Sequence, residues 1–475
     1  MSTPILLVEA SVLSGGIETT RYLSNSGFIT GSADSPANTN YLPVVSGNIE
    51  TTETISITGN ASFSFTDIEI LNVNGMFDSW LLDTWNNRPL RVYLGYNWNS
   101  RSQFTLIFDG IIAALGSKTY TTLNLSVRDK LQRLNAPLSE NTLGGLSVNK
   151  DSIIPYTFGE VFNISPLLTN DPTHEYQVSG SPIEDIIEVR DNGVPLTVTK
   201  FLATGKFTLP ARPAGVITCS VQGYKPSIYY NDIANTISNI VLNFGKATDV
   251  FEPSDIDSDN FLAFRTTHMQ GVGYYVAAKE NIISIIQALA ASVGAQVLCN
   301  RLGKLQLFQV DVSGTPTFEI TENMMLANSL SIVSRPDVQS SVVLNYCRNY
   351  STQDNLETGV VPTSKEIFKK EWNVVTQTDS EVAAEYKHSI LPEPVNSHLL
   401  NAAEATTEAL RRLNLWKVQR TVFQFQGIPP LASLQIGQKV MLKHPRFNLQ
   451  DGKQGMIISI KVDWKTSLST IQVLT

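Results

Sequence analysis

Leu90-Arg91-Val92-Tyr93-Leu94-Gly95, Phe104-Thr105-Leu106-Ile107-Phe108-Asp109-Gly110 and Leu123-Asn124-Leu125-Ser126-Val127-Arg128-Asp129 decide how this chain is read. Apolar residues recur at every second position, the period of a strand with one buried face. The polar run 97–103 between the first two suits an exposed hairpin loop, and Asp109-Gly110 can turn or bulge the chain. Asp129 then stands where a carboxylate caps a helix over 130–135, with Gln132 as its capping-box partner. Further out, Ser56-Ile57-Thr58 and Ala61-Ser62-Phe63-Ser64-Phe65 alternate in the same way, which points Phe63 and Phe65 inward together.

The chain is 475 residues long, beyond the ~250 to 300 at which single cores stop growing, so about three or four domains are expected. Charged residues make up 16% against a typical ~25%, with Ser, Thr and Asn filling the difference. Such a surface can be buried against a partner with little charge desolvation, which suits an assembly and equally suits ordinary extracellular β proteins. The net charge of -8 and pI near 5.3, without a Lys/Arg cluster, argue against a sequence-independent nucleic-acid binder, and no sequence-specific nucleic-acid binding is expected either. Ile5-Leu6-Leu7-Val8 is too short for a signal-peptide core, and no segment approaches the ~18 to 20 apolar residues of a bilayer span. A soluble, non-secreted product without a membrane span is therefore expected.

Residues 1–148 read as one β-barrel domain. After a connector at 145–151, runs at 183–189, 194–198, 206–209 and 216–221 are punctuated by Asp191-Asn192-Gly193 and Thr204-Gly205 and read as a small inserted β domain over 149–223. Residues 232–244 carry Ile233, Ile237, Ile240, Val241 and Phe244 at helical spacing, with Asn231 as a possible N-cap and Gly245 past the end. A second helix over 280–293 leads into strands at 295–300 and 304–310, joined by Arg301-Leu302-Gly303-Lys304, so 224–325 reads as a mixed α+β domain. Residues 326–475 read as a second β-barrel domain, with strands near 329–333, 341–346, 418–425, 439–442, 455–462 and 469–473. Its one helix, 399–413, has a narrow face of Ala402, Ala403, Ala409, Leu410 and Leu413. The fold class is mainly β, α+β and multidomain. No internal repeat stands out at the residue level.

The sequence singles out no catalytic, cofactor-binding or metal-binding residue. Asp255-x-Asp257-x-Asp259 opens like a calcium loop, but Asn260 stands where that loop needs Gly and Thr266 where it needs a bidentate Glu, leaving a solvated loop that caps a short helix. His174, His268, His388, His398 and His444 lack metal spacing, and His444 before Pro445 reads as a strand-end residue. No serine sits in a Gly-x-Ser-x-Gly elbow, and neither Gly205-Lys206 nor Gly245-Lys246 has the upstream glycine of a phosphate loop. Cys219, Cys299 and Cys347 are odd in number and widely spaced, so no disulfide framework is expected, and the first two read as buried strand thiols. Trp80 and Trp85 lie in apolar strings and read as packed rings, whereas Trp98, in a polar loop, is the ring to test for sugar or subunit contact.

The series Gly75-x-Phe77-Asp78, Trp80 to Trp85, Phe108-Asp109-Gly110 and Leu125-x-x-Arg128-Asp129-x-Leu131 resembles the first barrel of tailed-phage baseplate hub proteins. The resemblance continues into Tyr156-x-Phe158-Gly159-x-Val161-Phe162 and the helix, hairpin, Gly303-Lys304-Leu305 order. It ends on the closing-barrel pattern Leu434-Gln435-Ile436-Gly437-Gln438-Lys439-Val440 with His444-Pro445-Arg446-Phe447. It implies a structural, non-enzymatic virion protein of the tail tip, assembled in the host cytoplasm and needing no cofactor. It also implies a homotrimeric ring joining the tail tube or distal tail protein to a central spike or fibre. A carbohydrate-binding or glycan-cleaving β protein and a hexameric distal-tail adaptor are the competing readings.

Overall fold

The computed structural model describes residues 4–57, 59–145, 147–245 and 250–475. Thr58 of the first alternation, one connector residue at 146 and Lys246 of Gly245-Lys246 lie outside the described residues. Strands predominate over helices, giving a mainly β, α+β, multidomain chain. It divides into two compact units, one of residues 1–132, 297–336 and 420–475, the other of residues 133–296 and 337–419.

The first unit is organised by two three-stranded antiparallel meanders. One consists of Pro89–Gly95, Thr105–Thr119 and Thr122–Arg128, the other of Lys439–His444, Leu449–Asp463 and Leu468–Leu474. Their registers coincide. Gly110 lies opposite Leu90 on one side, and its successor Ile111 faces Arg128 on the other; Gly455 lies opposite Val440, and Met456 faces Leu474. A bulge falls between Ile112 and Ala114 in the first long strand and between Ile457 and Ser459 in the second. Beyond it Leu115 pairs with Leu125, as Ile460 pairs with Ile471. The glycines explain the shared crowding, because a Cβ on Gly110 would sit 2.6 Å from the Arg128 carbonyl oxygen and one on Gly455 2.5 Å from that of Leu474. So Asp109-Gly110 does not turn the chain; it lies inside a 15-residue strand where a neighbouring backbone comes close.

Each meander takes a further strand in the same position. Ile68–Leu71 joins the first with Ile68 opposite Leu125, and Val422–Gly427 joins the second with Phe425 opposite Ile471. A bridging strand, Glu50–Thr54, pairs with Ser62–Phe65 on one side and with Leu449–Asp463 on the other. The expected strand at 56–58 is thus displaced to 50–54. One continuous apolar core results, in which Phe108, Ile112 and Leu125 belong with Phe425, Ile457 and Ile471. Phe63 and Phe65 do face inward together, with ring centres 5.7 and 4.1 Å from that of Phe108. Trp80 and Trp85 are buried in the same core, the Trp85 indole N–H donating to the Trp80 carbonyl at 2.8 Å.

The predicted helix after Asp129 is a 3₁₀ turn, Lys130–Leu134. Pro137 follows shortly and disfavours helical geometry at Ala136, which leaves no room for further turns. The 97–103 loop is also not wholly exposed. Arg101 is buried, donating to the Glu9 carboxylate at 2.7 Å and stacking over Tyr93 at 3.6 Å, so this loop is pinned to the N-terminal strand Ile5–Ser14.

The second unit is built on a five-stranded sheet that includes Ile183–Asp191, Ile217–Tyr224, Tyr156–Ile164 and Gly273–Val276. Gly159 has φ of +60°, and a Cβ there would lie 1.9 Å from the Val272 carbonyl oxygen, so only glycine fits. Helix Ile233–Asn243 is capped by Asp232, which accepts from the Asn235 N–H at 3.0 Å, not by Asn231; the cap sits one residue later than the spacing indicated. Ser258–Thr267 is a helix capped by Asp257, as the capping reading of the aspartate run expected. Residues 326–475 hold more than the one helix expected: short helices Pro362–Lys369 and Ser380–Glu385 precede Ala402–Trp416.

Candidate functional site

The residues singled out by the Phe-Asp-Gly and Gly-Lys-Leu motifs meet at one seam of the first unit. The hairpin tip at 301–303 lies against the long strand of the first meander, where the Asp109 N–H donates to the Arg301 carbonyl at 2.8 Å. The Asp109 carboxylate is paired with Lys130 at 3.1 Å and Arg91 at 3.7 Å. Gly303 is required because a Cβ would fall 2.7 Å from the Asp109 carbonyl oxygen. On its other side the tip reaches the bridging strand: the Arg301 N–H donates to Glu53 at 2.8 Å, and the Arg301 guanidinium lies over the Trp464 ring at 5.4 Å.

The bridging strand is itself stitched to the second meander. Thr54 and Ser459 hydroxyls are 3.0 Å apart, the Trp464 indole N–H donates to the Thr51 hydroxyl at 3.0 Å, and Glu50 pairs with Lys461 at 2.7 Å. Glu53 faces the interior, and burial pushes its carboxyl above the usual range against the opposing pull of Arg301. Asp129 accepts from the Leu131 and Gln132 N–H groups, and burial pushes it up to about 6. These charges organise a joint. Among the described residues no group of His, Cys, Asp and Glu is placed to hold a metal ion.

A buried carboxylate in the second unit has the opposite balance. Burial raises Glu408, but Arg411 and Arg412 donate to it at 2.7 and 2.6 Å and hold it below the ordinary glutamate range. The same guanidinium groups donate to the Val293 and Ala291 carbonyls at 3.3 and 2.7 Å, closing the C-terminal end of helix Ile282–Ala291 together with its C-cap residue Ser292, whose hydroxyl donates to the Ala288 carbonyl at 3.1 Å. The helix Ala402–Trp416 therefore docks by a buried ion triad and by Ala405, Ala409, Leu413 and Leu415; of the face expected from sequence only Ala409 and Leu413 are buried, while Ala402, Ala403 and Leu410 are exposed, so the docking face is rotated from the expected one.

The other candidates are dispersed. His268 is buried and stacked on Phe264. His398 is buried beside Tyr274 and Trp372, which pushes it down to about 4, and His444 ends the strand Lys439–His444. Cys219 and Cys299 are buried strand thiols. Trp98 is 65% exposed and stacks on Tyr96, ring centres 4.9 Å apart and planes 4° from parallel, at the tip of the 95–104 hairpin. Sequence reasoning missed two surface features. Met76, Leu81 and Leu82 are exposed in the connector between Ile68–Leu71 and Pro89–Gly95, and Ile332 and Val333 are exposed in Ser331–Ser334. The latter run carries an apolar signal in sequence that could have been read as an edge strand with nothing on one side.

No protein-family model and no curated protein matches the chain. Solved structures similar in fold are described as tail proteins, two of the three below as prophage tail proteins. One is a tail protein from Neisseria meningitidis, at 9% identity and TM-score 0.40 over 99% of this chain and 96% of that one. Another is a 43 kDa prophage tail protein from Shewanella oneidensis, at 11% identity and TM-score 0.41 over 99% and 98%. A third is a prophage tail protein from Listeria monocytogenes, at 9% identity and TM-score 0.38 over 100% and 94%. Likenesses with TM-scores below 0.5 assign neither family nor role. No described helix is long and apolar enough to cross a membrane.

Proposed function

We propose that the chain is a structural hub of a phage tail tip or a related injection device, working by assembly and without turnover. In this reading three copies form a ring that joins the tail tube or distal tail protein to a central spike or fibre. The observation that carries it is the register match of the two meanders, down to the glycine and the bulge. Two like modules in one chain give six in a trimer. Such a ring can face a sixfold tube on one side while offering threefold sites to a spike on the other. The motif resemblance supports the same role, and the low charge content suits a surface buried in a particle.

Negative-stain class averages of the purified protein test this. Threefold rings with six evenly spaced modules are the expected result. Sixfold rings of six chains would replace the hub with an adaptor, and a monomer at every concentration, with and without tail-tube protein, would overturn assembly as the function.

A further inference from the structure

The second unit holds a polar cleft that ring assembly does not use. Its volume of about 390 Å³ falls within the ~300 to 1,000 Å³ range of small-molecule sites. One wall is the segment 137–141, whose main chain is pinned: the Leu138 N–H donates to the Glu280 carbonyl at 2.8 Å, and the Asn141 carbonyl accepts from the Ile154 N–H at 3.0 Å. Another wall is aromatic. Phe244, just past helix Ile233–Asn243, meets Tyr224 and Tyr156 edge to face, with ring centres 5.0 and 5.2 Å away. Those contacts hold the three rings in fixed orientations.

The uncharged polar side chains of this lining have hydrogen-bonding capacity to spare. Among the described residues, the Asn141 amide and the hydroxyls of Tyr156, Ser181 and Tyr224 have no partner, and Asn243 donates its amide N–H to the Asn239 carbonyl at 2.9 Å while its side-chain oxygen stays unpaired. A Cβ on Gly180 would fall 2.8 Å from the Tyr156 hydroxyl, so glycine keeps that group clear beside Ser181. Glu140 is the one charged side chain among the described lining residues, and it is paired with Lys279. These groups decide the class of ligand. An apolar molecule would strip their water and replace none of its hydrogen bonds, weakening binding about tenfold for each group left unpaired. An anion finds no cationic side chain among the described lining residues. A ring bearing hydroxyl groups both donates and accepts, as the amide and hydroxyl groups here require, and its C–H faces can lie against an aromatic ring.

We propose that this cleft binds a short neutral saccharide, with the Asn141 amide and the Ser181 and Tyr224 hydroxyls bonding its hydroxyl groups and Phe244 taking an apolar face. The site lies wholly within the second unit and is separate from the Trp98 and Tyr96 stack, which belongs to the first. It therefore stands independently of ring assembly. A saccharide that lacks a hydroxyl the cleft engages leaves a polar side chain unpaired, so the site discriminates among sugars by their hydroxyl pattern.

Saturation-transfer NMR and calorimetry on the full chain test this with glucose, galactose, mannose, N-acetylglucosamine and their disaccharides, with adenosine and inorganic phosphate as controls. At least one neutral sugar should bind saturably with a Kd near or below about 1 mM, and neither control should. Tyr224→Phe, which keeps the ring, and Asn141→Ala, at an exposed position, should each weaken that binding about fivefold with the thermal midpoint unchanged, and Trp98→Ala should leave it intact. Failure of every neutral sugar to saturate would overturn the proposal. So would sugar binding that both cleft variants leave untouched, or that Trp98→Ala abolishes. Adenosine or phosphate bound as tightly as the best sugar would overturn the class of ligand.

Discussion

The two meanders of the first unit share a backbone and almost nothing else. Around their central glycines, Phe108-Asp109-Gly110-Ile111-Ile112 stands against Lys453-Gln454-Gly455-Met456-Ile457, with only Gly and one Ile in common. What both keep is what the geometry demands: no side chain where the adjacent strand's carbonyl approaches within about 2.6 Å, and an apolar residue two positions later facing the core. What they do not keep is what their surroundings demand. Asp109 in the first receives the 301–303 hairpin tip, whereas the second uses its far segment, 459–463, to hold the bridging strand. Equivalent modules have been specialised by their neighbours while the crowded backbone positions stayed fixed.

The largest effect should come from breaking both modules at that shared point. Gly110→Ala and Gly455→Ala each put a methyl group against a carbonyl oxygen that the sheet holds in place, so each should lose about 3 kcal/mol or more in urea unfolding. Gly110→Ala should be the worse of the two, because the Phe108 ring, 2.2 Å from the new Cβ, must move too. An effect below about 1 kcal/mol at either site would mean that the two strands are not crowded alike, and the equivalence of the modules would fail.

A smaller effect sharpens the difference between the modules. The first continues into the turn Lys130–Leu134 through Asp129, whose carboxyl burial pushes up to about 6. A folded-state value above the unfolded one means that Asp129 contributes stability below about pH 3.9, and that this contribution is lost as the pH rises through about 6. Asp129→Asn keeps an acceptor for the turn and removes the titration. The variant should therefore match the parent near pH 4 and exceed it by about 1 to 2 kcal/mol at pH 7.5, the lower figures reflecting partial solvent access. Urea titrations at both pH values check this, and equal stabilities at pH 7.5 would show that the ionised carboxylate costs nothing there.

Much of this fold was legible in sequence because it rests on local periodicity. The strands at 90–95 and 123–127, the helices near 233–243 and 282–291, and the inward pair Phe63 and Phe65 all follow from spacing alone. The joint was not legible. Glu50-Thr51-Thr52-Glu53-Thr54 has no apolar member, yet Thr51 and Glu53 are buried, because what covers them arrives from Arg301 and Trp464 far along the chain. Nor could the repeat be seen, since it lives in register and in two glycines. Glu408 escaped notice for a similar reason: a carboxylate on a face shared with Ala405, Ala409 and Leu413 looks solvated until two arginines are found on it.

The smallest effect concerns the aromatic pair that lies outside this logic. Trp98 and Tyr96 stack on each other in solvent at a hairpin tip, while Trp80 and Trp85 lie in the core. Two exposed rings held nearly parallel bury little area beyond their mutual contact, so Trp98→Ala should change protomer stability by no more than about 0.5 kcal/mol. Ring symmetry should also survive, since the hairpin does not belong to the bridging strand that joins the two modules. A variant that folds normally but no longer forms threefold rings would move the subunit contact to this hairpin. Saturable binding of a neutral oligosaccharide, present in the parent and lost in Trp98→Ala, would instead give the first module a receptor-binding role that the second, whose equivalent turn is the short 445–448 segment, does not share.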